Sequence, residues 1–402
     1  MVTVADVSLT AIEAKLGNNS PLIAKQIDID NAEERKKLIR EADLVIALLP
    51  PSMQYPVALD CLEAGKHFLS ASYTDPGIQL LANEIEQKGI LFLCEMGLDP
   101  GIDHMSAMQL IHRIKASDGK ITSFRSHCGG LVAPESDNNP WHYKFSWNPR
   151  NVVLAGKAGA VFKENSKVKS QKYEAMFTDC EEILVDGIGG LAFYPNRDSL
   201  GYIPTYQLEE AATFIRTTLR YPGFCKGWDM MIRIGLTDDT HLVNTDSLTI
   251  AGFFEQHFSK AGITVGHLDA LLIEQFEFLG LYDETLINKG LCCAADILQW
   301  ILEKKWALGP EDKDLIVMVH EIEYEVKNQK SKVKTSLIVK GEDCLLTAMA
   351  KTVGLPLGIA AVLILDGKIG VTGLQIPTLP GIYEPVLAEL AGHGIVFQEM
   401  NF

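Results

Sequence analysis

Over the first hundred residues, short apolar runs at Val2 to Ala5, Leu44 to Leu49, His67 to Ser70 and Ile90 to Cys94 alternate with segments of helical periodicity near 8–16, 32–42, 53–64 and 77–88. That alternation leaves few architectures open, because strands of this kind need helices on both faces, which is the arrangement of a doubly wound parallel sheet. Ser8 is placed to cap the first helix, and Gly65 and Gly89 fall where helices must close before a strand. A weaker strand ends at Asp28-Ile29. In an open α/β sheet, ligands bind beyond the carboxyl ends of the strands, so residues just after each run are the first candidates for function.

The run Leu93-Cys94-Glu95-Met96-Gly97-Leu98-Asp99-Pro100-Gly101-Ile102-Asp103-His104 puts carboxylates and a Pro-Gly turn directly after such a strand. Asp99 then sits at the strand's carboxyl end. Asp103 is expected to cap a helix whose apolar positions Met105, Met108 and Ile111 recur at helical spacing. No G-x-G-x-x-G occurs anywhere, and nothing before Val2 supplies the strand and glycine turn that seat a pyrophosphate on a helix N-terminus. Gly187 to Ala192 fits the looser form, but Tyr194-Pro195 just beyond it argues for a loop. The expected fold is therefore a parallel sheet lacking its first βα unit.

From about residue 120 the pattern changes to α+β: a strand at Ile121 to Ser126, a proline-bearing loop, a helical portion over about 208–312 that includes a helix at Leu291 to Leu302, and a hairpin of Leu315 to Tyr324 with Val333 to Val339. An apolar Ile359 to Leu365 is expected to return as a helix to the first domain. The predicted domains are 1–98 with about 347–402, and 99–346. With 402 residues and 47% hydrophobic content, the chain is long enough for two or three real cores. Its net charge of −16 argues against a nucleic-acid partner. No apolar run of membrane-spanning length and no signal peptide is read, so a cytoplasmic location is expected. Eight cysteines without C-x-x-C spacing or paired histidines predict no metal, and Cys292-Cys293 read as buried small residues in a helix.

Asp6 ends the first strand, where an acidic residue accepts hydrogen bonds from an adenosine ribose; no Arg or Lys occupies positions 7 to 13, which favours NAD, with NADP possible. The bland reading is a turn before Ser8. Asp28, Ile29, Leu48 and Leu49 end the next strands, either as loop and core residues or as the adenine and nicotinamide-ribose walls. Ser70-Ala71-Ser72-Tyr73-Thr74 brings hydroxyls and a phenol to the same sheet edge, so Tyr73 and Asp99 can share proton transfer, or Tyr73 can simply pack. A basic constellation, Arg197 and Arg220 in Tyr194 to Ser199 and Thr217 to Tyr221, suits carboxylates bidentately, whereas Arg197 beside Asp198 can equally be an ordinary ion pair. Cys128 follows His127 on a strand, so the two point to opposite faces and do not make a catalytic pair.

The runs Glu95 to His104, Cys128 to Leu131 with Ala133 to Ser136, Tyr143 to Trp147, Tyr194 to Ser199 and Thr218 to Tyr221 resemble, in order, the saccharopine dehydrogenase family of the glutamate-forming type. The resemblance covers essentially the whole chain. It implies a Rossmann-type domain, an α+β substrate domain that makes a homodimer, and cleavage of saccharopine to glutamate and 2-aminoadipate 6-semialdehyde with a nicotinamide cofactor, or the reverse. It also implies cofactor contacts at Asp28, Ile29, Leu49, Ala71, Ser72, Leu98, Asp99 and Pro100. Substrate contacts would come from Tyr73, Asp99, Arg197, Thr218, Leu219 and Arg220, with Cys128 beside them; Asp99, Tyr73 and Cys128 are the catalytic candidates. Two alternatives stay open: a related dehydrogenase of carboxylated polyamines, and a truncated, catalytically silent binding protein.

Overall fold

The apolar runs become strands in a computed structural model that describes residues 1–16 and 22–401 and that divides into two units, Met1–Gln109 with Val353–His393 and Leu110–Thr352 with Gly394–Phe402. In the first unit, β1 (Val2–Asp6) pairs in parallel with β2 (Leu22–Gln26). A separate four-stranded parallel sheet runs β3 (Leu44–Ala47), β4 (His67–Ser70), β5 (Leu91–Leu93) and a late strand, Gly373–Gln375. No ladder joins β1 to β3 among the described residues. Helices α1 (Leu9–Leu16), α3 (Gln54–Ala64), α4 (Pro76–Leu80) and α5 (Ala82–Gln87) make crossovers between paired strands, α2 (Ala32–Glu41) links the two sheets, and α6 (Ile102–Ala116) leaves the end of β5.

Local chemistry sets these boundaries. Ser8 Oγ accepts the Ala11 N–H at the start of α1, and Gly65 closes α3 in the left-handed region at φ 66°. Phe68 and Phe92 on neighbouring strands, 5.2 Å apart between ring centres, are packed with Val57, Ala58, Cys61 and Leu62 of α3 and with Ile78 and Ile85. Burying each such side chain contributes on the order of 2 kcal/mol.

The second unit is built on a long sheet of β6 (Lys120–Val132), β7 (Ala160–Glu164), β8 (Lys167–Gln171), β9 (Glu181–Val185), β10 (Gly189–Pro195), β11 (Thr213–Arg220), β14 (Asp314–Val326) and β15 (Gln329–Lys340), with β12 (Leu242–Asn244) and β13 (Leu291–Cys293) forming a small ribbon beside it. The order is the Gln398–Asn401 strand, β15, β14, β6, β11, β10, β9, with β7 joining β11 to β8. Only β6 and β11 among these pairs run parallel. A second core of Trp141, Phe224, Trp228, Phe254, Phe276 and Trp306 holds the helices over 222–305.

Several expectations need correction. Asp103 lies inside the first turn of α6 and not before it, and its carboxylate accepts the Gly101 N–H at 2.6 Å. The helix expected over 77–88 breaks at Leu81 into α4 and α5. The helical portion begins only at Pro222, because Thr213–Arg220 is a buried strand. Cys292 and Cys293 close β13, and Cys293 is the N-cap of the Ala294–Lys305 helix. The hairpin turns at Lys327-Asn328, both at positive φ, so β15 starts at Gln329. The expected tail divides: the Ala348–Leu365 helix is followed by elements of the first unit, but Gln398–Asn401 pairs with β15 in the second. That same helix is long and apolar enough to cross a membrane, contrary to the reading of the runs, and 44% of it is buried inside the protein. Gly187 to Ala192 is the β9–β10 turn and the start of β10.

Candidate active site

In the first unit the candidate residues gather at the carboxyl ends of the parallel strands. Met96 N–H donates to Ser70 O and Glu95 N–H to Ser72 O, so the segment after β5 is laced to the segment after β4. The turn that follows is closed by Gly97 N–H to Pro100 O at 3.0 Å and by Ile102 N–H to Gly97 O at 2.9 Å. Gly101, at φ 146°, lies so near Gly97 that a Cβ there would fall on the Gly97 backbone. A side chain at Gly97 would in turn crowd Ala71 Cβ and Pro100 O at 3.1 and 3.2 Å. Glycine is required at Gly101, and a side chain at Gly97 would need Ala71 and the Pro100 carbonyl to give way by a few tenths of an ångström.

The turn presents Asp99, half-buried, with Tyr73 Oη 3.4 Å from its Oδ1. Leu98 and Pro100 are buried beside it. Gln54, buried at the start of α3, donates to Leu49 O and to Ser72 Oγ, both at 2.8 Å, and accepts from Ser70 Oγ at 2.6 Å. It ties three strand-end residues together, and it was invisible in sequence because its partners stand up to 18 positions away. Asp6 and Asp28 are exposed, and each caps its own turn, accepting from Ser8 N–H at 2.9 Å and Asp30 N–H at 3.0 Å. Ile29 is half-buried and packs against the core of this unit, as does Leu49.

A dinucleotide fits this edge in part. Asp28, Ile29, Leu49, Ala71, Ser72, Leu98 and Pro100 all lie at the ends of parallel strands, and Gly97 keeps the backbone low there. The described residues hold no glycine-rich turn leading from a strand into a helix N-terminus.

In the second unit, strand register assembles the rest. Cys128 of β6 stands opposite Thr218 of β11, which stands opposite Tyr194 of β10, and Arg220 follows two residues on, so all four share one face of the sheet. His127 and Thr217 occupy the other face, joined at 2.7 Å. Gly129 permits this closeness, since a Cβ there would meet Leu219 O at 2.6 Å.

Arg220 is 2% exposed. Its guanidinium donates to Leu219 O at 2.8 Å and lies 5.2 and 5.4 Å from the ring centres of Tyr143 and Phe224, while its Nε has no hydrogen-bond partner. Burial works against its charge, while Tyr194, Tyr143, Cys225 and Cys128 around it hold the guanidinium above its ordinary value, with no carboxylate among these leading groups. Burial pushes the Tyr194 phenol up to about 12 and raises Tyr143 as well, so both are neutral at ordinary pH. The result is a buried cation that makes no ion pair among the described residues.

The structure separates the two arginines that sequence grouped. Pro195 pairs with Thr217 and Asn196 N–H reaches Arg216 O, so Arg197 falls about five residues from Arg220 along β11, roughly 17 Å at strand rise. Arg197 is exposed, and the Asp198 carboxylate beside it accepts the Leu200 and Gly201 N–H groups. Leu219 turns its side chain into the core with Leu131, Leu191 and Val317. Only its carbonyl reaches the Arg220 side.

A parallel α/β domain with candidate ligand residues at its strand ends, followed by an α+β domain carrying a buried arginine, is a two-domain architecture of the ligand-binding α/β class. Residues 1–93 match the saccharopine dehydrogenase NADP binding domain and residues 97–395 the saccharopine dehydrogenase C-terminal domain. The chain belongs to the saccharopine dehydrogenase family. It is 32% identical over 423 residues to the saccharopine dehydrogenase [NADP(+), L-glutamate-forming] of Schizosaccharomyces pombe, covering 99% of this chain and 93% of that one. It is 33% identical over 431 residues to the alpha-aminoadipic semialdehyde synthase of Arabidopsis thaliana, covering 99% of this chain but 40% of the other, so it spans less than half the length of that relative. The apo structure of the L-Glu-forming saccharopine dehydrogenase from Saccharomyces cerevisiae superposes with a TM-score of 0.88 at 27% identity, covering 100% of this chain and 99% of that one. A nicotinamide dinucleotide is thus the cofactor class; the matched names carry NADP, where Asp6 by itself favoured NAD.

Proposed function

We propose that the protein interconverts saccharopine with glutamate and 2-aminoadipate 6-semialdehyde, using NADP. The observation that carries this reading is Arg220: a buried guanidinium with no acidic partner is costly alone and fits a ligand that brings its own carboxylate. Saccharopine carries three. A carboxylated polyamine would also bring a carboxylate, so the preference for the lysine-derived substrate is supported by the names of the matched relatives.

In this reading Arg220 grips one substrate carboxylate, with Thr218 and Cys128 beside it on the same sheet face. Tyr73 and Asp99 handle protons. Asp99 takes the proton of the substrate's secondary ammonium, and the Tyr73 phenol, 3.4 Å away, donates to the resulting acid–base pair and holds its orientation. When bound, the nicotinamide supplies or accepts the hydride at the carbon next to that nitrogen. Asp28, Ile29, Leu49, Ala71, Ser72, Leu98 and Pro100 would hold the dinucleotide. The choice of NADP rests on the relatives' names, against Asp6, which favours NAD but whose position is also accounted for by the turn it caps. We also read the protein as a cytoplasmic homodimer.

The test is saccharopine-dependent reduction of NADP by the purified protein, with NAD in parallel. Turnover with NADP at a kcat/KM at least tenfold above NAD supports the assignment. Equal or better use of NAD returns the cofactor choice to Asp6, and no saccharopine-dependent reduction of either overturns the function.

A further inference from the structure

The mechanism above leaves unused a buried carboxylate that stands behind the Tyr73–Asp99 pair. Glu95, 5% exposed and at φ 56°, follows Cys94 just past the end of β5. Its Oε1 accepts both the Thr74 N–H at 3.1 Å and the Thr74 hydroxyl at 3.0 Å, so it grips the residue adjoining Tyr73. Its Oε2 lies 2.9 Å from Nε2 of His104, which is 0% exposed in the first turn of α6. His104 Nδ1 in turn lies 3.8 Å from Asp103 Oδ2, and Asp103 Oδ1 accepts the Gly101 N–H, inside the turn that carries Asp99. One side chain therefore braces the loop of Tyr73 against the helix whose first turn fixes Asp99. A left-handed backbone at a non-glycine residue is unfavourable, and here it aims the carboxylate inward, where both its oxygens are occupied.

We infer that Glu95, with His104, is a positioning pair that sets the Tyr73–Asp99 hydrogen bond and thereby the rate of proton transfer, without touching substrate or cofactor. This rests on the proposed function for its kinetic consequence and on geometry alone for its structural one. Charge is not the essential property: a carboxamide at the same place still accepts from Thr74. Losing the side chain frees both loops.

The test uses Glu95→Ala, Glu95→Gln and Tyr73→Phe in the full chain, alone and as the Glu95→Ala/Tyr73→Phe pair. Glu95→Ala should lower kcat by ten- to a hundredfold, and Glu95→Gln should recover it to within about fivefold of wild type. In the Tyr73→Phe background Glu95→Ala should cost less than threefold, because its route to the chemistry has already been removed. A general structural defect would instead lower kcat by the same factor in both backgrounds, and that outcome overturns the inference. A crystal structure of Glu95→Gln and of Glu95→Ala supplies the second readout, independent of whether saccharopine is the substrate. Tyr73 Oη should stay within reach of Asp99 in the first and leave it in the second. If the wild-type protein turns over no saccharopine, the function fails while this geometric result still decides the inference. An unmoved Tyr73 in Glu95→Ala, or turnover within twofold of wild type, refutes it.

Discussion

Replacing Arg220 by Met should separate what the arginine costs the fold from what it contributes to binding. Methionine keeps most of the volume between Tyr143 and Phe224 and removes the charge. The free protein loses one charge-assisted hydrogen bond to Leu219 O, about 1.5–3 kcal/mol, and two ring contacts of about 1 kcal/mol each. Against that it sheds the desolvation penalty of a buried ion, which in real proteins amounts to several kcal/mol, here without a carboxylate to offset it. The two sides nearly cancel. Stability should stay within about 1 kcal/mol of wild type or rise, whereas breaking a buried ion pair would cost about 3–5 kcal/mol. Binding should move the other way: one lost charge-assisted contact of about 2–3 kcal/mol raises the saccharopine KM roughly 30- to 150-fold. Urea unfolding with a constant m-value and steady-state kinetics measure the two quantities. A loss of more than about 3 kcal/mol in stability with an unchanged KM would show that Arg220 is structural and would remove the main support for an anionic substrate.

Arg197→Ala, at an exposed position far along the sheet from Arg220, should change KM by less than threefold; a change as large as that of Arg220→Met would mean both arginines hold the substrate. Gly101→Ala should abolish soluble expression or cost more than about 3 kcal/mol, since its Cβ would fall on the Gly97 backbone at a φ that L-residues avoid; an unfolding midpoint near wild type would contradict that turn geometry. The Glu321 carboxyl, facing His127 at 3.7 Å and paired with Lys332 at 3.2 Å, is held down to about 2 from an ordinary value of 4.5. Its folded value lies below its unfolded one, so its stabilisation is whole above pH 4.5 and disappears as pH falls toward 2, by no more than about 3 kcal/mol. Glu321→Gln should flatten that acid limb in pH-dependent urea melts, and an unaltered limb would assign acid lability elsewhere.

The strands of the first unit were readable because a parallel sheet buries both faces, so His67–Ser70 and Leu91–Leu93 stand out as apolar runs whatever surrounds them. Helix ends were readable for the same local reason, since Ser8 and Gly65 act on groups within a turn of themselves. Asp99 and Tyr73 could be placed at strand ends from spacing alone, and the opposite facing of His127 and Cys128 follows from the pleat. The separation of Arg197 from Arg220 could not be read, because it depends on which residue of β10 meets which of β11, a register set by the whole sheet. Nor could Thr213–Arg220 be told from a helix, since a fully buried strand has no alternation to show. Gln54 and Glu95 are polar residues whose partners lie 5 to 21 positions away on other elements, beyond any single turn, so no local pattern signals their burial. What the amino-acid order determined by itself is what one turn or one pleat governs: the strands of the first unit, the ends at Ser8 and Gly65, and the opposite facing of adjacent strand residues. The pairing of Cys128, Thr218 and Arg220 on one face, and the absence of a carboxylate beside that arginine, were decided only when distant strands closed into a sheet, because register and burial belong to contacts between segments rather than to any segment alone.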